Sequence, residues 1–175
     1  MRNKLFILIL FVVPLSVSAQ NGSEAYTFLR FPTSTRANAL GGHTVALVER
    51  DPSLIFHNPA LLGAEMDGMI NLNYMNYISD INVGSALFTK AHGEKGAWGV
   101  GATFISYGDI KEVLPDNVVT GASLSAKDIS VNGFYSRDLN ERWRGGLSLK
   151  FLYSGLADYT SIGLCVDAGL SYYNS

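Results

Sequence analysis

Few residues in this chain are placed for chemistry. Its histidines are His43, His57 and His92, and its one cysteine is Cys165. A zinc site built from such residues needs ligands in close pairs a few positions apart. No two of these four have that spacing. Gly99-Val100-Gly101 could begin a phosphate loop. No Gly-Lys-Ser/Thr comes after it, and it lies inside an alternating strand pattern, where small glycines facing a crowded interior explain it better. Asp109, Glu112 and Asp116 could offer oxygens to calcium, but their spacing matches no calcium loop and reads as a solvated one. No Gly-x-Ser-x-Gly nucleophile elbow is present. The expectation is a non-enzyme with no cofactor and no metal, so the question becomes what the chain builds.

The first residues point to export. Arg2 and Lys4 form a positive start, an apolar run reaches Leu15, and Val17-Ser18-Ala19 supplies small residues before Gln20. That is the pattern of a cleavable signal peptide over residues 1–19. The run is too short for a membrane-spanning helix, which needs about 20 residues. The rest of the chain, from Gln20 onward, is the size of one domain. Without Arg2 and Lys4 the formal charge changes from −2 to −4. No basic surface suggests nucleic acid. Charged residues make up 16% of the chain, where about 25% is usual for a soluble domain. The chain is short of the charge that normally covers a water-facing surface.

Beyond the signal peptide the chain divides into two regions. Residues 20–67 are irregular, with local helix signals. Asp51-Pro52-Ser53-Leu54 pairs a capping Asp with a proline at the first helical position. Asn58-Pro59-Ala60-Leu61-Leu62-Gly63 repeats the device and ends on a glycine. Two short helical turns are predicted. Gly41-Gly42 marks a tight bend.

Residues 68–175 read as consecutive strands. Ile70, Leu72 and Tyr74 alternate with Asn71 and Asn73. Ile81, Val83 and Leu87 share a face within 81–90. Trp98, Val100, Ala102 and Phe104 alternate with Gly99, Gly101 and Thr103. Strands over 127–137, 143–154 and 160–173 continue the pattern, the last with Ile162, Leu164, Val166, Ala168 and Leu170 against Gly163, Asp167, Gly169 and Ser171. Period-2 alternation means one apolar face per strand. The short connections predict an antiparallel meander of about six strands.

A soluble sandwich or lipocalin-like barrel also has one apolar face per strand. The make-up of the polar face separates it from a membrane barrel. Here that face is mostly Gly, Ser, Asn and Thr, whereas a water-facing exterior would carry many Lys and Glu. Lys150 and Asp167 fall mid-strand on the polar side, and Lys127 and Arg137 fall on the apolar side at strand ends. A cation on the lipid side near mid-bilayer costs about 2–4 kcal/mol; at a strand end it reaches the headgroups. Tyr135, Trp143 and Tyr153 also lie near strand ends, where aromatic girdles form. The fold class expected is therefore all-β: an antiparallel transmembrane outer-membrane β-barrel preceded by a helical and irregular plug-like segment. Connections 92–96 and 138–142 are short and would face the periplasm; loops 108–126 and 155–159 would face outward. Barrels of a single chain have at least about eight strands, and open edges are not viable in lipid. Residues 68–175 are thus expected to be the first part of a larger barrel.

The block Arg36-Ala37-Asn38-Ala39-Leu40-Gly41-Gly42-His43-Thr44-Val45-Ala46-Leu47, with Asp51 and then Asn58-Pro59-Ala60, resembles the start of the PorV/PorQ family, which is related to FadL-type outer-membrane barrels. Tyr26-Thr27-Phe28-Leu29-Arg30-Phe31-Pro32, Asn71-Leu72-Asn73-Tyr74, Ile105-Ser106-Tyr107-Gly108, Thr120-Gly121, Ser125-Ala126-Lys127-Asp128 and Tyr159-Thr160-Ser161-Ile162-Gly163-Leu164 extend the resemblance. It spans the mature chain and reaches about the first half of a typical member. It implies that Gly41, Gly42, Asp51, Asn58, Pro59 and Ala60 belong to a segment that plugs or lines the barrel. It also implies a role in the type IX secretion system of Bacteroidota, at the outer membrane and among its lipids. The partners implied are a PorZ-like surface protein and, through it, PorU and PorV, in a complex that attaches cargo to lipopolysaccharide. The alternative implied is FadL-like transport of hydrophobic compounds.

Overall fold

A computed structural model of the chain describes residues 26–42, 49–78, 80–113, 119–156 and 159–173, and of 109–113 and 119–124 the backbone alone. The predicted signal peptide and His43 lie outside the described residues, as do the side chains of Asp109 and Glu112 and the whole of Asp116.

The chain folds as one antiparallel sheet of six strands in sequence order. They are β1 (Ile70–Asn76), β2 (Asn82–Ala91), β3 (Gly96–Val113), β4 (Val119–Asp138), β5 (Trp143–Leu156) and β6 (Tyr159–Tyr172). The sheet is open, with β1 and β6 at its edges. All-β architecture and meander order are as expected. The alternating apolar residues form one face because every second Cβ points the same way.

That apolar face is the exposed one. Val131, Leu149, Phe151, Leu164 and Val166 stand open, while Ser85, Thr89, Ser130, Asn132, Ser136 and Ser148 on the opposite face are buried. The polar face is covered by residues 26–42 and 49–69. This segment contains a short α-helix (Thr35–Ala39) and 3-10 turns at Thr27–Arg30, Pro52–Phe56, Pro59–Leu61 and Ala64–Met66.

Strand β2 departs from the expectation. Val83 and Leu87 do share a face, but it is the buried one, with Ser85 and Thr89. They join two small apolar cores beneath the segment. In one, Leu87, Ala97 and Phe134 meet Leu54, Ile55, Phe56, Leu61, Leu62 and Met66. In the other, Val83, Ile105 and Leu152 meet Phe28. Apolar burial of this kind drives docking at about 25 cal/mol per Å², so the inner face needs a few large apolar residues among its hydroxyls.

The expected long loop 108–126 is also corrected. Most of it is paired strand, with Asp109 opposite Ser125, Ile110 opposite Leu124 and Val113 opposite Val119, and register shifts between. Strand β2 pairs with β3 only as far as Ser106, and β5 pairs with β4 only as far as Ala126. Beyond those points β3 and β4 form a two-stranded ribbon of their own. The helix-ending role of Gly63 is not found either. Its φ is −133°, and it precedes the turn Ala64–Met66 instead of closing the one before.

Aromatic residues gather toward strand ends on the exposed face. Phe88 and Trp98 stack edge to face at 5.9 Å, and Trp143 and Tyr172 lie 5.0 Å apart. Lys90 and Arg137 are exposed on the same rim. Lys127 is exposed too, but not at a strand end as expected: β4 runs on to Val119, and Lys127 lies near its middle, one residue before its pairing with β5 stops at Ala126.

Candidate functional site

The candidate site is the seam where residues 26–42 and 49–69 lie on the polar face of the sheet. Its local structure comes from the capping residues. Asp51 Oδ1 accepts from the Ser53 backbone N–H at 2.9 Å and from the Ser53 hydroxyl at 2.7 Å. Asn58 Oδ1 accepts from Ala60 N–H at 3.0 Å. Each cap precedes a proline whose missing N–H costs the turn nothing. Both predicted helical turns are therefore present.

Asn58-Pro59-Ala60 sits on a flat patch of wall. Gly146 of β5 and Gly169 of β6 are opposite one another in the strand register. A Cβ at Gly146 would meet the Pro59 carbonyl oxygen at 2.6 Å, and one at Gly169 would meet Pro59 Cδ at 3.1 Å and collide with Asn58 Oδ1. Only two neighbouring residues without side chains let the backbone come so near.

Around this seat, the wall side chains satisfy backbone carbonyls of the segment. The Ser85 hydroxyl donates to Thr33 O at 2.6 Å, Thr89 to Met66 O at 2.6 Å and Ser136 to Leu62 O at 2.5 Å. The Tyr173 hydroxyl donates to Ala60 O at 3.2 Å, and Lys150 Nζ lies 3.5 Å from Phe56 O. The segment lacks long regular structure, so many of its carbonyls have no internal partner. A buried carbonyl left bare is costly, and the small hydroxyls of the polar face supply the donors. Replacing Thr89 with valine keeps the shape and removes the donor. The expected loss is about 1–3 kcal/mol of stability, seen as a lower urea midpoint with an unchanged slope.

Charged groups fasten one end of the seam. Arg144 Nε lies 2.5 Å from Asp138 Oδ1, and its Nη1 lies 3.1 Å from Glu65 Oε1 on the segment. The same guanidinium sits 4.9 Å over the Tyr173 ring. Arg144→Met is expected to cost about 1–2 kcal/mol, above an ordinary surface pair but short of a fully buried one. The reason is that Glu65 and Asp138 side chains keep 38% and 29% of their surface open to water. The shift of the thermal midpoint on E65Q, R144M and the double variant measures it, with the double costing less than the sum. Further along the wall, Lys150 Nζ and Asp167 Oδ2 pair at 2.9 Å, both mid-strand on the polar face as expected, and Ser148 donates to the same carboxylate at 2.9 Å. Cys165 shares that face.

The structure does not bring all the expected plug residues together. Gly41 and Gly42 have φ of +100° and +95°, a conformation that favours glycine. They end the helix Thr35–Ala39, with Gly42 N–H donating to Ala37 O at 2.8 Å. A Cβ on either would meet nothing. Asp51 caps its own turn and stands 3.8 Å from Arg36 Nη1. Only Asn58, Pro59 and Ala60 lie on the glycine seat. His57 flanks the seam, and His92 is exposed in a turn. Among the described residues, no group of three or more His, Cys, Asp or Glu is gathered as a metal would require.

Sequence reasoning missed Ser85, Thr89, Ser136, Arg144 and Tyr173 as partners of the segment. The signal was present for the first three as small hydroxyls in the polar phase of alternating strands. For Arg144 and Tyr173 it was not, because their partners are remote in sequence.

No family model, curated protein or solved structure matches the chain.

Proposed function

We propose that this chain is part of an outer-membrane β-barrel, PorQ-like in type, that performs no chemistry and serves as a membrane anchor. The observation that carries the membrane reading is the inverted exposure of the sheet. Leu149 and Val166, paired mid-strand, are 53% and 66% exposed, while hydroxyl and amide side chains on the other face are buried. A contiguous apolar surface of this kind demands a covering, and lipid covers it with no cost in lost hydrogen bonds. The aromatic rim and the cations Lys90 and Arg137 near strand ends suit a membrane interface. In this reading the free edges of β1 and β6 pair with further strands of the same barrel, because unpaired backbone in lipid is prohibitive. Residues 26–42 and 49–69 then fill the lumen.

The anchoring role rests on the PorV/PorQ-like segments. The partner would be a PorZ-like surface protein, linked through it to PorU and PorV, in the type IX attachment complex. The β3–β4 ribbon, which projects past its neighbours at the end opposite the connections 92–95 and 139–142, is the natural outward contact. FadL-like transport is less well supported, since the segment lies directly on a wall of small polar residues with little open space between. Pull-down of the tagged full-length protein from its own outer membranes in detergent, read by mass spectrometry, tests the proposal. Co-recovery of the surface secretion components supports anchoring. Recovery of the barrel alone from the membrane fraction refutes anchoring and leaves the membrane reading intact.

A further inference from the structure

Between the segment and the sheet lies a pocket of about 20 Å³ lined by Thr33, Phe56, His57, Thr103, Asn132 and Lys150, among others. About 10–15 Å³ of such space is needed to hold one water molecule, so there is room for one. Thr33 Oγ1, Thr103 Oγ1 and Asn132 Oδ1 belong to lining residues and have no hydrogen-bond partner within the protein. Thr103 and Asn132 are 6% and 1% exposed. Elsewhere along the seam, wall hydroxyls meet segment carbonyls directly. Buried polar groups are almost always hydrogen-bonded, and three bare ones around one hole are not a scattered defect.

We propose that this cavity is a built site for a single buried water that bridges the N-terminal segment to strands β3 and β4. The chemistry selects a neutral occupant that both donates and accepts. Lys150 Nζ, paired with Asp167 at 2.9 Å, borders the site and repels a cation. Asn132 Nδ2 donates to Ser130 Oγ at 3.1 Å, which leaves its oxygen as the unpaired atom, and that oxygen repels an anion. One water donates to Asn132 Oδ1 and to one threonine hydroxyl and accepts from the other. That makes three bonds, the usual number for an internal water. Thr33 comes from the segment, Thr103 from β3 and Asn132 from β4, so the water joins three pieces of chain that touch one another nowhere else through these atoms.

The site holds whether or not the barrel anchors a partner, and its test is separate. Crystals of the full-length protein in detergent, at a resolution that shows ordered solvent, are expected to carry one density peak within about 3.2 Å of at least two of the three atoms. An empty cavity, or a threonine hydroxyl turned to bond Asn132 directly, overturns the proposal. A double-mutant cycle on Thr33→Val and Thr103→Val gives a second reading, because valine keeps the volume of threonine. If one water serves both hydroxyls, the urea-midpoint shift of the double variant is clearly smaller than the sum of the single shifts. Strict additivity overturns the shared water.

Discussion

Arginine in place of Leu149 is expected to cost about 2–4 kcal/mol of stability when the protein is folded into lipid vesicles. The side chain is already open, so nothing but its surroundings sets the size of the effect. Position 149 lies mid-strand on the exposed face, opposite Val166. In a protein surrounded by water, an exposed leucine exchanged for arginine shifts stability by no more than about 0.5 kcal/mol. In a barrel wall, the guanidinium must enter hydrocarbon or drag water and headgroups toward it. Arginine at position 137, already present on the same face at a strand end, shows where a cation is tolerated. Urea titration of L149R in vesicles, against the unsubstituted chain, gives the answer. A loss of at least about 2 kcal/mol supports lipid contact; a change near zero would mean that water, not lipid, covers this face.

Valine in place of Gly146 is expected to have the largest effect of any single change on the polar face. A Cβ there would stand 2.6 Å from the Pro59 carbonyl oxygen, a backbone atom that cannot turn away. Pro59 is held by the Asn58 cap and by packing of Ala60, Leu61 and Leu62. Overpacking against side chains costs about 1–3 kcal/mol; against fixed backbone the loss should reach at least about 3 kcal/mol or expel the segment. Gly133 is the control. It lies mid-strand in β4 on the other face, and a Cβ there meets nothing within 4 Å. Limited proteolysis of the folded protein distinguishes the two outcomes for G146V. Cleavage within 26–69 with an intact sheet shows that the segment has left its seat. Equal resistance of G146V and the unsubstituted chain would mean that Pro59 does not rest on this glycine.

The two faces of the sheet were not equally legible in the sequence. Alternation in β1, β3, β4, β5 and β6 separated the faces correctly, because the pleat allows only two side-chain directions. It failed in β2, where Val83 and Leu87 are apolar yet face inward. Both faces of β2 carry apolar residues, one set for the outside and one for the segment's core, so period alone could not rank them. The pairing of 109–113 with 119–125 was also invisible. Backbone hydrogen bonds join those residues whatever their polarity, and Gly, Ser and Asp between them looked like a loop.

Local sequence was enough for the six strands and their order, though not for the full length of β3 and β4, and for the two capped turns and the uncharged make-up of the polar face. These depend on neighbours a few positions apart, where geometry leaves little choice. Only the folded chain shows that the polar face is the covered one, that Gly146 and Gly169 form a seat for Asn58-Pro59-Ala60, and that Arg144 ties Glu65 to the wall. Each of those contacts joins residues roughly 80 to 110 positions apart in the chain. Their meeting depends on how the segment folds back over the sheet, and no local spacing encodes that.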